Sequence, residues 1–465
     1  MRWQKEALVV SEFLSAHGIN YSQATHCHTP LTMYPHSLTP LVGSKKVRLP
    51  HDLSNYNAML YIHIPFCTAR CTFCPFQIDV KRSVPELYAQ GLIRQVEMLA
   101  TQVQMPSQFN VHFGGGSPNL LSIGQLQRIV STIQSVFRGS VEEIGMELHP
   151  EVANKNFDYI RALPDIGITR ISFGLQTTDA AILHRTARHH KENVLDKVVL
   201  FAKELGLDVN VDVMCGGFFG ETLEADKKTF EYIFGLEPDR VSPYQIQVQR
   251  GTAEERRFMR ERSQYPNTEG IFRAKALLHE LADIHGYHYL GEDFSRRSLP
   301  TFYQARKWSG RTAYLGLGAG AYSYIVDNVN CKGMLWWAPF DSAGYLRFIN
   351  PGQLPIERLI KLTKEDVKTW SAIVNLKMGR TIPEIPGRLV GPIKELVRLG
   401  FVEEKREALC LTARGILIED LIYAALISPA LWQRFSAKRK DPAYDGRYDL
   451  FYDPETVLSF QKSLR

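Results

Sequence analysis

This sequence predicts an α/β fold: a parallel sheet curled into an open or closed barrel, followed by a small α+β module. Three observations point there. From about residue 58, short apolar runs alternate with helical periodicities, the pattern of strand–helix–strand units. Polar and glycine signals recur just past those strands, where α/β barrels collect function. After a Pro/Gly-containing linker at 350–355, two helices, a hairpin and a further helix follow, an order similar to a winged-helix module.

Taken in order, residues 1–57 are an N-terminal extension. Its first stretch (Met1-Arg-Trp-Gln-Lys) carries charges where a leader would be apolar, so it reads as an amphipathic helix. The barrel and its C-terminal extension occupy 58–349. Strands are expected at 59–64, 110–113, 145–148, 169–173, 209–214 and 240–247. Helices are expected at 85–101, 123–137, 193–205 and 225–234, with right-handed crossovers between the strands. Cys67 follows the first strand and Gly114-Gly115-Gly116-Ser117-Pro118 the second. Glu147 closes the third, Gln176 lies past the fourth, Asp212 ends the fifth, and Gln245 and Gln247 end the sixth. The glycine-rich stretch 314–323 reads as turns and tight packing. Residues 356–425 form the winged-helix-like module, with helices at 364–377, 390–399 and 412–424 around a hairpin at 401–411. It lacks a clustered basic recognition helix and reads as a cap or scaffold rather than a nucleic-acid reader. Residues 426–465 are a mixed tail.

Composition narrows the function classes. The 465 residues are 45% hydrophobic and 22% charged, ordinary for a globular protein and unlike a disordered or fibrous one. The net charge of +6 is spread along the chain, which suits anionic small molecules better than nucleic acid. No apolar run approaches the roughly 20 residues of a membrane span, so none is expected. The cytoplasm is the expected compartment.

The chemistry concentrates in Cys67-x3-Cys71-x2-Cys74. Thiolates this close are soft ligands suited to zinc or iron–sulfur clusters. A 4Fe–4S cluster normally takes four thiolates, so three leave one iron open to a substrate or cofactor. A structural zinc site would need a second pair, and Cys27, Cys215, Cys331 and Cys410 are scattered. A disulfide framework is a poor match for seven cysteines in a long chain. A chance cluster of buried cysteines is the remaining plain alternative.

Other residues fit around such a centre. Gly114–Gly116 let backbone approach a ligand closely, or simply make a tight βα turn. Glu147 could accept from an ammonium or ribose hydroxyl, or serve as a surface ion-pair partner. Arg188 could grip a carboxylate, or be solvated. Asp212 sits in an apolar strand, where an unpaired carboxylate is costly, so a partner or ligand is expected. Phe73 could stack on adenine or shield the cysteines. His63 alternates with Tyr61, so both could face the barrel interior. His184, His189 and His190 read as solvent-facing.

With those residues assembled, the chain resembles the radical S-adenosylmethionine (SAM) superfamily. Tyr61-x-His-Ile-Pro-Phe-Cys-x3-Cys-x-Phe-Cys is similar to its oxygen-independent coproporphyrinogen III dehydrogenase branch. The likeness continues through Phe113-Gly-Gly-Gly-Ser-Pro118, Arg170-Ile-Ser-Phe-Gly-Leu-Gln176, Arg188, Asp212-Val-Met and Gly316–Ser323, covering roughly 58–325. The resemblance implies a partial (β/α)6 radical SAM barrel whose 4Fe–4S cluster, on Cys67, Cys71 and Cys74, cleaves SAM to a 5′-deoxyadenosyl radical. It implies two SAM molecules: Tyr61, Gly115 and Glu147 match contacts of the cluster-bound one, and Phe73, Gly116, Ser117, Gln176, Arg188 and Asp212 those of the second. Gln247 and Tyr322 fall where the local sequence differs. It further implies an external one-electron donor such as flavodoxin or ferredoxin.

One departure bears on the reaction. The coproporphyrinogen enzymes resemble C-x3-C-x2-C-x-C, whereas Cys74 here precedes Pro75-Phe76. The expectation is therefore methyl or methylene transfer from the second SAM to an sp2 carbon of a small-molecule or tetrapyrrole acceptor. The alternatives are oxidative decarboxylation of coproporphyrinogen III and the heme-carrying chaperone role of the same branch.

Overall fold

The computed structural model describes residues 2–22, 38, 47–246, 248–297, 307–443 and 453–464. Its centre is a twelve-stranded sheet whose strands, numbered along the chain within that sheet, are β1 (Asn57–Ile64), β2 (Gln108–Gly115), β3 (Ser140–Leu148), β4 (Arg170–Gln176), β5 (Asp208–Met214), β6 (Arg240–Tyr244), β7 (His288–Tyr289), β8 (Phe294–Ser295), β9 (Arg311–Leu317), β10 (Tyr322–Asp327), β11 (Lys332–Trp337) and β12 (Arg358–Leu362). The spatial order is β12-β11-β10-β9-β1-β2-β3-β4-β5-β6-β8-β7. β1 to β6 run parallel, each to the next. β9 joins β1 in parallel from the other side, and β10 to β12 continue antiparallel.

β1 is buried nearly throughout, through Ala58, Met59, Leu60, Ile62 and Ile64, whereas the strands after it alternate apolar residues with polar ones such as His112, Ser172 and Asn210. Their crossovers are helices closed by local signals. Ser122 accepts from the Gln125 amide and Gln125 answers at the Ser122 amide, a capping box that starts the helix Ile123–Val136. Asp179 accepts from the Ile182 amide and Thr222 from the Ala225 amide, simple N-caps of Ala180–Arg185 and Leu223–Gly235.

A second core ties the two ends of the chain to the barrel. The N-terminal helix, Arg2–Ala16, buries Trp3, Ala7, Val10 and Leu14. Trp3 Nε1 donates to Asp283 Oδ2 at 2.8 Å, at the end of the helix Thr268–Ile284. Arg414 of the C-terminal module pairs with Glu6 at 2.9 Å. Trp370, Leu389, Leu417, Trp432 and Phe460 share this core with Val10 and Leu14. The module is therefore fastened to the barrel.

Within residues 356–425, the helices expected at 364–377 and 390–399 are Lys364–Lys377 and Gly387–Arg398, and the hairpin is Val402–Lys405/Ala408–Leu411. The last helix is instead two, Ala413–Leu417 and Glu419–Ala425, broken at Ile418. Two other readings differ. The sixth strand ends at Tyr244, short of the expected 247, with Cys215 N donating to Tyr244 O as the last rung between β5 and β6. The stretch 314–323 is not a set of turns alone: it contains the end of β9, a tight turn and the start of β10. Gly316 is required there, since a Cβ would lie 2.2 Å from Tyr322 O. No helix among the described residues is long and apolar enough to cross a membrane.

Candidate functional site

Strand alternation sends one set of side chains to the inner face of the sheet. Tyr61 and His63 on β1, Glu147 on β3, Gly174 on β4, Asp212 on β5 and Tyr244 on β6 line one cavity of about 980 Å³. β9 and β10 add Tyr314 and Tyr322, and Trp337 and Phe340 close the far wall. Tyr322 stacks on Tyr314 at 5.2 Å, and Tyr314 on Tyr61 at 5.7 Å, giving that wall an aromatic column.

The three cysteines stand at this cavity on the loop after β1. Phe66–Cys67 pairs with Asp79–Val80, which closes the loop at its base, and Cys74 N donates to Cys71 O at 3.2 Å within it. All three thiols are free and partly exposed to the cavity. Ser117 Oγ donates to Cys67 Sγ at 3.3 Å, and Arg188 Nη1 to Cys71 Sγ at 3.6 Å. Burial raises the Cys67 thiol above its ordinary value, with the Ser117 hydrogen bond acting against that rise, and pushes the Cys74 thiol up to about 12, a cost that a bound cationic centre would offset. Among the described residues no three His, Cys, Asp or Glu side chains converge as a single-ion site. Three soft thiols on one cavity-facing loop, two with donors on sulfur, fit an iron–sulfur cluster.

The glycine segment runs under this loop. Gly115 N donates to Glu147 Oε2 at 3.2 Å, Gly116 N to Ile64 O at 2.8 Å and Ser117 N to Phe66 O at 2.7 Å. These N–H groups are already committed, so the segment offers a ligand close approach rather than free donors. The glycines also have an internal reason. Gly115 has φ +108°, and a Cβ there would sit 2.6 Å from the His63 ring; one on Gly114 would sit 2.5 Å from Glu147 Oε1.

Two carboxyls face the cavity with perturbed titration. Burial pushes Glu147 up to about 7; its Oε1 lies 3.3 Å from His112 Nε2, while burial holds His112 down near 3. Burial, with the Glu147 charge next, pushes Asp212 up to about 8. Asp212 has the partners its apolar strand demands: Oδ1 accepts from Ser172 Oγ at 3.0 Å and Asn210 Nδ2 at 2.7 Å. Held above the ordinary carboxylate range, both groups are ready to give up their protons beside a cation.

Gln176 gives the most direct sign of a ligand. Its φ is +74°, uncommon for a residue other than glycine, at a register irregularity in β4. Its Oε1 is buried without a hydrogen-bond partner. Beside it, Arg188 donates to Gly174 O while its Nε is also unpartnered. Arg188 is thus a built-in contact of the cavity rather than a solvated helix arginine. Phe73 packs edge-on against Phe218 at 5.4 Å and also faces the cavity.

The structure brings Tyr61, Phe73, Gly115, Gly116, Ser117, Glu147, Gln176, Arg188, Asp212 and Tyr322 together with Cys67, Cys71 and Cys74 at one cavity. Gln247 lies outside the described residues. His184 and His189 are exposed, as the sequence suggested. His190 departs from that reading: its ring nitrogens bond Lys191 O and Leu175 O, both at 3.0 Å. Sequence reasoning missed His149, Tyr244, Tyr314, Trp337 and Phe340 on the cavity wall. His149 directly follows β3, so the strand-end rule could have found it; the aromatics of β9–β11 carry no motif. A smaller inner chamber of about 230 Å³ continues past Glu147, Asp212 and Tyr244 toward Lys275, Lys377 and Asp420.

Comparison with known proteins agrees with this geometry. Residues 61–233 match the family model described as the Radical SAM superfamily. The heme chaperone HemW of Bacillus subtilis (strain 168) is 24% identical over 387 residues, covering 79% of this chain and 98% of that protein. The oxygen-independent coproporphyrinogen III oxidase of Synechocystis sp. (strain ATCC 27184 / PCC 6803 / Kazusa) is 27% identical over 346 residues, covering 70% and 72%. Among solved structures, coproporphyrinogen III oxidase (HemN) from Escherichia coli superimposes with a TM-score of 0.69 at 21% identity, covering 88% of this chain and 99% of that one. The fold is that of a radical SAM protein of this kind, and the chain carries a radical SAM domain with homologues named as heme chaperones and coproporphyrinogen oxidases.

Proposed function

We propose that this radical SAM domain holds a 4Fe–4S cluster on Cys67, Cys71 and Cys74, cleaves SAM reductively, and acts on a tetrapyrrole. The observation that carries the reading is the single cavity in which three thiols meet two perturbed carboxyls and the unpartnered Gln176. The relatives supply the substrate class, since heme and coproporphyrinogen are both tetrapyrroles. When bound, the cluster and SAM supply a 5′-deoxyadenosyl radical that abstracts hydrogen. The chain's own residues do the rest. Glu147, beside Gly115, accepts from the amino or ribose groups of a cluster-side SAM. Arg188 donates to the Cys71 sulfur, and the aromatic column of Tyr61, Tyr314 and Tyr322 walls the cavity against water.

Hydrogen abstraction from a porphyrinogen propionate, followed by loss of carbon dioxide and of one electron to an external acceptor, is the reaction that the coproporphyrinogen oxidase relatives support, and heme carrying is the role that the chaperone relatives support. A second reading, methyl or methylene transfer to an sp2 carbon, is supported by one feature. Phe73, Gln176, Arg188 and Asp212 add further polar and aromatic groups to the cavity of about 980 Å³ beyond those that would hold one SAM. Pro75-Phe76, where the coproporphyrinogen enzymes carry a further cysteine, fits this reading too.

The test is anaerobic reconstitution with SAM and reductant, adding coproporphyrinogen III or heme separately. Carbon dioxide release with 5′-deoxyadenosine supports decarboxylation. S-Adenosylhomocysteine with a methylated tetrapyrrole supports group transfer. Tight heme binding with no deoxyadenosine overturns the enzymatic reading in favour of the chaperone role.

A further inference from the structure

The loop that carries the cysteines is fastened from behind the cavity wall, by a contact that the proposed reaction does not use. Thr72 lies between Cys71 and Cys74, and all three of its polar groups are bonded to other elements. Thr72 N donates to Thr186 O at 3.0 Å, and Thr72 O accepts from Glu254 N at 3.2 Å. Thr72 Oγ1 donates to Glu254 Oε2 at 2.8 Å, and among the described residues that hydroxyl has no other partner. Thr186 closes the helix Ala180–Arg185, just before Arg188, and Glu254 lies in the first turn of the helix Ala253–Arg260, after β6. Amides in a first turn have no partner within their own helix, so Glu254 N is free to reach the loop. Two helix ends thus grip one residue of the cysteine loop.

Glu254 is fully buried, where a carboxylate without partners is costly. Every donor it needs is in place. Besides the Thr72 hydroxyl, Oε2 accepts from Arg257 Nη1 at 3.1 Å, and Oε1 accepts from the Tyr265 hydroxyl at 2.6 Å. Arg257 Nη2 continues to Arg185 O at 3.3 Å, so the same carboxylate braces the turn that leads to Arg188. Arg188 Nη1 in turn donates to Cys71 Sγ, which closes a ring of contacts around the loop. A buried ion pair adds little stability over apolar side chains of similar volume. What this one adds is orientation, and the segment it orients is the turn Cys71-Thr72-Phe73-Cys74.

We propose that Glu254 is a positioning residue for the metal centre: acting through Thr72, it holds the turn from Cys71 to Cys74 in ligating shape before any metal arrives. The proposal rests on the reading that the three thiols hold an iron–sulfur cluster. Partners behind the metal ligands fix ligand orientation, and their loss lowers metal affinity about 10–100-fold. Sulfurs already held in place also give up less conformational freedom on binding. Cutting the Thr72 contact loosens the turn while leaving each thiol chemically intact.

The test compares two substitutions that each take one hydroxyl from Glu254. Thr72→Val removes the contact to the loop, whereas Tyr265→Phe removes the one on the opposite oxygen and leaves the loop joined. In the metal-free full chain, iodoacetamide labelling of Cys71 and Cys74, read by peptide mass spectrometry, reports how firmly the turn is held. In the anaerobically reconstituted protein, loss of iron–sulfur absorbance to EDTA and the electron paramagnetic resonance spectrum of the reduced cluster report the centre itself. The expected result for Thr72→Val is labelling and cluster loss each at least fivefold faster, with an altered spectrum. Tyr265→Phe should stay near wild type, as should Thr72→Ser, which keeps the hydroxyl. Equal effects of Thr72→Val and Tyr265→Phe overturn the proposal, since the carboxylate would then serve only the fold. A Thr72→Val protein that labels and keeps its cluster as wild type does also overturns it. If the wild-type chain assembles no cluster, the cluster reading falls, while the labelling rates still decide whether Glu254 holds the turn.

Discussion

Replacing Asp212 by Asn tests the electrostatics of the empty cavity. Asn keeps a carbonyl oxygen to accept from Ser172 and Asn210, so the local geometry survives while ionisation is removed. In the unfolded chain this carboxyl loses its proton near the ordinary value of 3.8; in the folded one it keeps it to about 8. Between those values the unfolded state binds fewer protons, so stability falls as pH rises. One such group costs at most about 1.4 kcal/mol per pH unit. Because Asp212 also faces the cavity, water there reduces this to about 1 kcal/mol per unit. Glu147 adds a similar slope up to about pH 7. The buried histidines pull the other way only below about pH 6.5, where the unfolded imidazole would be protonated. The window from pH 6.5 to 8 therefore isolates the carboxyls. The assay is urea unfolding of the metal-free protein across that window, comparing wild type with Asp212→Asn. The variant should be the more stable by an amount that grows with pH, about 1 kcal/mol by pH 8 relative to pH 6.5. Parallel profiles would refute the claim that Asp212 is held neutral.

Further outcomes follow from the same geometry. Cys71→Ala should abolish the iron–sulfur absorbance after anaerobic reconstitution; retained absorbance would refute the ligand assignment. Gly115→Ala forces a Cβ into the His63 ring at 2.6 Å from a backbone with φ +108°, and should cost about 2–5 kcal/mol by strain and overpacking. Gly124→Ala, whose Cβ meets nothing within 4 Å in a helix, should instead gain up to about 1 kcal/mol, and equal effects in unfolding assays would contradict the packing argument. Arg188→Lys should leave a cluster that assembles but lower SAM affinity roughly tenfold by equilibrium dialysis, since lysine lacks the planar fork that spans Gly174 O and Cys71 Sγ.

The parallel barrel strands were legible because each carries a run or alternation of β-branched and apolar residues closed by a polar or glycine signal, a strong local pattern. Residues 311–337 were not. β9–β11 are joined by tight turns at Gly318-Ala319-Gly320 and 328–331, and their glycines outweighed the strand pattern when read locally. Antiparallel hairpins join β9 to β10 and β10 to β11, but what ties them to the barrel is the parallel pairing of β9 with β1, Tyr61 opposite Gly316, and a contact across some 250 residues leaves no local trace. The site shows the same division. Residues at strand ends, such as Glu147 and Asp212, could be named from position. What the sequence could not carry was the reason for the glycines: Gly115 answers to His63 as much as to any ligand. Nor could it carry the orphaned oxygen of Gln176, which depends on a positive φ at a register shift.

The central claim is reductive SAM cleavage at the three-cysteine loop, and its most direct measurement is 5′-deoxyadenosine formed by the reconstituted protein with SAM and dithionite. Wild type should produce it, and Cys71→Ala should produce none while remaining folded. No deoxyadenosine from a wild-type protein with a fully assembled, reducible cluster, or equal amounts from both proteins, would contradict the account.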